Sequence, residues 1–134
     1  MPHIDIASLL REALVISGCT QQQIGEFDGH STITLELTGL PALNIGVVGE
    51  GVWFWSELVA CTDNLLIHRS EGLLRFLMQG CEFALTEQMQ LVNNDGQLEV
   101  RVMLARSAFA DAHSLASAVD GYLTLLAALC ELVR

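Results

Sequence analysis

The chain has 134 residues, 51% of them hydrophobic, with a mean hydropathy of +0.44 and a net charge of −10. The length fits one domain spanning residues 1–134 with a real core. Six basic residues, all arginine, against sixteen acidic ones leave no basic stripe for nucleic acid and disfavour anionic membrane surfaces.

The C-terminal apolar run, residues 121–130, is half of the ~20 residues a bilayer span requires, so no membrane insertion is expected. The opening MPHIDIASLLRE lacks the basic region and long apolar run of a signal peptide. The expectation is a soluble, cytoplasmic chain whose surplus apolar surface is covered by an oligomer or a partner. Its acidic balance keeps such a surface soluble and suits basic segments of a partner. Cys19, Cys61, Cys81 and Cys130 form no CxxC pair and read as reduced, buried hydrophobes.

In chain order, Asp5 is placed to cap a first helix over residues 6–17, with Ile6, Leu10, Ala13 and Leu14 on one face and Gly18 ending it. Residues 21–30 are polar and glycine-containing, a loop. A first strand at 32–37 alternates Ile33, Leu35 and Leu37 with Thr32, Thr34 and Glu36. A turn at Gly39-Leu40-Pro41 leads to a second strand at 42–48. Gly49-Glu50-Gly51 leads to a third at 52–58, and the short connections require an antiparallel meander. The third strand, Val52-Trp53-Phe54-Trp55, is bulky on both faces, so its second face needs cover as well.

Asp63 or Asn64 is expected to cap a second helix over 65–79, closed by Gly80. Its apolar residues occupy two sides, one for its own sheet and one for a second subunit. Gly72 either permits a close helix crossing or is neutral. A fourth strand at 88–92, the turn Asn93-Asn94-Asp95-Gly96, and a fifth strand carrying Leu98, Val100, Val102 and Leu104 follow. Asp111 is expected to open a third helix with Leu115, Val119, Tyr122, Leu126, Leu129 and Val133 in one stripe. The fold class is α+β, in the order α-β-β-β-α-β-β-α, with an antiparallel sheet.

The residues suggest little chemistry. His3, His30, His68 and His113 show neither HxxxH nor HExxH spacing, so no metal site is expected. There is no phosphate-binding glycine motif, and no cofactor is expected. A Cys–His pair such as Cys61 with His68 is the one nucleophilic arrangement worth naming, and sequence proximity alone does not bring it together.

HIDIASLLREAL followed by ISGC, the segment Asp28-Gly29-His30-Ser31-Thr32-Ile33, the Val52-Trp53-Phe54-Trp55 strand, and Gln79-Gly80-Cys81-Glu82-Phe83-Ala84 carry a resemblance over the whole chain. It resembles the class I (IB) chaperones of bacterial type III secretion, in the InvB/SpaK branch. The resemblance implies the same element order and a homodimer paired largely through the second helix. It implies a non-enzymatic, ATP-independent role in the bacterial cytoplasm, with the N-terminal region of one or more effectors bound in extended form. The secretion ATPase is a further candidate partner.

Within that expectation, Ile6, Leu9, Leu35, Ile45, Trp53 and Trp55 are the candidate effector-binding residues. Leu66, Leu73, Phe76 and Leu77 are the candidate dimer contacts. Core packing competes for Leu35 and Ile45, and packing against the first or third helix competes for Trp53 and Trp55. The competing functions are a small-molecule-binding or hydrolytic domain and a dimerisation module without cargo.

Overall fold

A computed structural model describes residues 5–18 and 32–134. The expected loop at 21–30, Cys19, His3 and His30 lie outside the described residues. The elements are α1 (Ile6–Ile16), β1 (Ile33–Leu35), β2 (Leu43–Val48), β3 (Gly51–Ala60), α2 (Asp63–Met78), β4 (Gln90–Asn94), β5 (Gln97–Met103), a short 3-10 turn (Arg106–Phe109) and α3 (Ala112–Leu132). All strand pairs are antiparallel, in the order β1-β2-β3-β5-β4. The α+β order is the expected one. The first strand is shorter than its alternation suggests, and the 3-10 turn was not expected.

Local chemistry fixes the element ends. The Asp5 carboxylate accepts from the Ser8 hydroxyl at 2.7 Å and the Ser8 amide at 3.1 Å, closing the first turn of α1. Asp111 does the same for α3, accepting from the Ser114 amide at 2.7 Å. For α2 the cap is Thr62, whose hydroxyl accepts from the Leu65 amide at 3.0 Å, and not Asp63 or Asn64. Asp63 instead sits in the first turn, where its charge favours the positive end of the helix. Between β4 and β5, Asp95 and Gly96 both have positive φ (54° and 88°) and the Gly96 amide donates to Asn93 Oδ1. Positive φ at both central residues is what a two-residue hairpin turn requires.

The core lies between one face of the sheet and the helices. Strand alternation puts Val52, Phe54 and Ser56 on that face, each essentially fully buried. The Tyr122 ring of α3 meets the Phe54 ring edge-on at 5.4 Å, and the Tyr122 hydroxyl donates to Ser56 Oγ at 2.7 Å. Burial pushes the Tyr122 hydroxyl far above its ordinary pKa. Helix α1 packs on α3. Helix α3 is long and apolar enough by composition to cross a membrane. Its stripe from Leu115 through Tyr122 to Leu129, however, is part of the core. Helix α2 closes the end of this layer. A side chain at Gly72 would meet Leu132 Cδ2 at 3.1 Å, so the absent side chain permits a close approach of α2 to α3.

In β3 the register slips at Leu58, because Glu57 pairs with Glu99 while Val59 pairs with Leu98. The extra residue is a β-bulge. It returns Val59 to the helix side, where Val59, Leu65 and Val133 line one cavity.

Candidate functional site

Among the described residues, two surfaces carry apolar side chains that no other element covers. The first is the outward side of α2. Leu73 and Phe76 point into the core, while Leu66, Ile67, Leu74 and Met78 are exposed, by 43%, 73%, 59% and 70%. Ile67, Leu74 and Met78 recur at i, i+7 and i+11, one face of a helix. This corrects the expected phase: of the four nominated dimer contacts, Leu66 is on the outside, Leu77 is half-buried against the core, and Leu73 and Phe76 are core residues. Sequence reasoning overlooked Ile67 and Met78, although their spacing carries the signal.

The second surface is the outer face of the sheet. Register places Thr34, Asn44, Trp55, Arg101 and Gln90 in one row across all five strands, and Gly46, Trp53 and Met103 in the next. These residues alternate with the buried ones, so they lie opposite α1 and α3. Trp53 and Trp55 are half-buried, and neither packs against α1 or α3. The Trp55 ring lies over Gly46, where an added Cβ would meet it at 2.9 Å. Neither indole N–H has a hydrogen-bond partner among the described residues.

A cavity of about 350 Å³ opens on this face, lined by Val48, Trp53, Trp55, Asn94, Glu99 and Arg101. Its floor is polar. Glu99, only 6% exposed, accepts from Asn94 Nδ2 at 3.3 Å and makes a short ion pair with Arg101 Nε. A buried carboxylate is costly unless it is paired and hydrogen-bonded. Here it has both.

The six nominated effector contacts therefore separate. Ile6 and Ile45 are enclosed, at 3% and 0% exposure; Ile45 faces the helices because it pairs with Phe54 rather than with a tryptophan. This is a correction, because a docked segment does not reach side chains sealed in the core. Leu9 and Leu35 are half-buried on the helix side, packed on the core. Trp53 and Trp55 are on the opposite face. Leu35 lies on β1, which is an edge strand.

Little else on the described chain offers chemistry. No group of three His, Cys, Asp or Glu side chains among the described residues could hold a metal ion. A groove of about 610 Å³ beside the N-terminal half of α3 is lined by Cys81, Glu82, Phe83 and the hydroxyl residues Ser107, Ser114, Ser117 and Thr124, with no histidine. Burial raises the Cys81 and Cys130 thiols above their ordinary pKa, the opposite of an activated nucleophile. Cys61, Cys81 and Cys130 are free thiols, and no hydrogen bond joins Cys61 to His68 among the described residues.

The fold has solved counterparts. One is a chain of the heterodimeric ExoU–SpcU complex from the type III secretion system of Pseudomonas aeruginosa, with TM-score 0.58, 19% identity and 98% of each chain covered. Another is a chain of the HopA1–SchA chaperone–effector complex, with TM-score 0.59, 17% identity and 96% and 94% covered. At such identities the likeness is one of fold alone.

Sequence goes further. Residues 18–95 match the invasion protein B family. The surface presentation of antigens protein SpaK of Salmonella typhimurium, and that of Salmonella typhi, are each 36% identical over 126 residues, 94% of this chain and 93% of theirs. The chain belongs to the invasion protein B (SpaK) family.

Proposed function

We propose that this protein is a non-catalytic, cytoplasmic chaperone of type III secretion. It binds the N-terminal region of one or more effectors in extended form and keeps them soluble and competent for export. Family membership supports the class. The observation that carries the binding claim is the outer sheet face, where two tryptophans and a cavity lie under no helix among the described residues. An extended segment gains main-chain hydrogen bonds at a strand edge and side-chain anchors in apolar pockets. Ordering such a segment costs free energy, so a sizeable apolar surface is needed in return.

In this reading the client passes around the β1 edge. It touches Leu9 and Leu35 on one side of the sheet and Trp53 and Trp55 on the other. The exposed apolar stripe of α2, Leu66, Ile67, Leu74 and Met78, is the homodimer contact. The secretion ATPase is a later partner that takes over the loaded complex.

The test is co-expression of the chain with the first hundred or so residues of the secreted proteins encoded beside it. A client segment is expected to co-purify, and the chain alone is expected to sediment near twice 14.6 kDa. A cargo-free dimerisation module would give the same mass and capture nothing.

A further inference from the structure

Arg101 is held differently from four of the other arginines. Arg69, Arg75, Arg106 and Arg134 each engage a terminal guanidinium nitrogen with an oxygen. Arg101 is engaged through Nε alone among the described residues. Glu99 makes that contact from an almost fully buried position, and Asn94 braces Glu99 in turn. The guanidinium is thus oriented by its inner nitrogen, with neither terminal nitrogen engaged by another described residue. Its side chain is 38% exposed, and it stands directly across from Trp55 in the register.

An oriented guanidinium with a free terminal edge matches a carboxylate, which accepts two parallel hydrogen bonds from it. The surroundings suit the stem of an acidic side chain, since two indoles and Val48 form the apolar part of the same cavity. We infer that the Trp53–Trp55–Arg101 cavity is a subsite for an aspartate or glutamate side chain of the bound segment, with Glu99 and Asn94 as positioning residues. This rests on reading the outer sheet face as the client surface. It runs against the overall balance of −10, which by itself favours basic clients. Glu57, paired in register with Glu99, adds negative charge on the far side of Arg101. The acidic anchor therefore approaches from the Trp53 side, and an acid placed two residues towards Glu57 is rejected.

The probe is a peptide array tiling the first hundred or so residues of the secreted proteins encoded beside this chain, each 15-mer printed with its Asp/Glu→Asn/Gln twins. It is read with the parent chain, with Trp55→Ala, and with the double variant Glu99→Gln/Arg101→Met. The double variant removes both charges, because losing Arg101 alone would strand a buried carboxylate. Charge-assisted hydrogen bonds predict that amide replacement at one position weakens Trp55-dependent spots about tenfold or more. The same swap is expected to have no effect on the double variant. Spots that need Trp55 but ignore the acid-to-amide swap would overturn the acidic subsite and leave the client surface standing. An array on which no spot needs Trp55 would overturn the client surface itself.

Discussion

Leu73 and Leu74 are adjacent on α2, but one is buried and the other exposed, at 5% and 59% exposure. In the proposed homodimer, the pair separates folding from dimerisation. Fully burying a leucine is worth about 1.5–3 kcal/mol, so covering the exposed three-fifths of Leu74 in a dimer is worth about 1–2 kcal/mol per protomer. A symmetric contact counts twice. Leu74→Ser is therefore expected to weaken the dimer by about 2–4 kcal/mol, a rise in Kd of roughly 30-fold to several hundredfold. It should leave the protomer's fold intact. Leu73→Ala removes core atoms instead and should cost about 2–5 kcal/mol of folding stability. Sedimentation over a concentration series reads the first effect, and urea unfolding followed by far-UV circular dichroism reads the second. If Leu74→Ser sediments as the parent does, while Leu73→Ala dissociates the dimer without lowering the urea midpoint, the orientation of α2 is wrong.

Tyr122→Phe should cost about 1–3 kcal/mol, because it leaves the fully buried Ser56 hydroxyl without its donor. Adding Ser56→Ala should recover part of that loss, and urea denaturation of the two singles and the double measures the coupling. Acid stability is a further check. Hydrogen bonds from the Ser8 hydroxyl and amide hold the Asp5 carboxyl below its ordinary 3.8, and bonds from the Ser114 amide and hydroxyl do so for Asp111. A carboxyl depressed in the folded state contributes stability that is complete above 3.8 and fades as pH falls through the lower folded value. Asp111→Ala should therefore be less stable than the parent at neutral pH, with the gap closing in stronger acid. A gap unchanged between pH ~6 and pH ~2 would show that the cap is not what titrates.

The parts of the fold legible in the sequence are those fixed by neighbours in the chain. Asp5 and Asp111 announce their helices because a short acceptor ahead of an apolar run meets amides three residues on. Asn93-Asn94-Asp95-Gly96 announces its hairpin because only such residues accept positive φ twice. Leu98, Val100, Val102 and Leu104 sort themselves to one face by alternation.

What stays hidden depends on which side of an element the core lies. Val52-Trp53-Phe54-Trp55 is apolar on both faces, so the string cannot say that Phe54 is sealed under Tyr122 while the tryptophans look outward. Ile45 follows Phe54 into the core through its cross-strand pairing, which no local pattern encodes. On α2 the choice between Leu73 and Leu74 turns on Gly72, whose missing side chain brings that side against Leu132. Glu99 alternates like any solvent-facing residue. Its burial under Arg101 and Asn94 depends on the β4–β5 pairing.

In the proposed complex, an unfolded client lies across the outer face of the sheet and its β1 edge. Hydrogen exchange followed by mass spectrometry, on the chain alone and on its co-purified client complex, tests this most directly. New protection is expected at β1 and along Trp53–Trp55, with the bound client segment protected as a continuous extended stretch and the rest of the client exchanging freely. Protection confined to α2, or a client that exchanges as a folded globule, would contradict it.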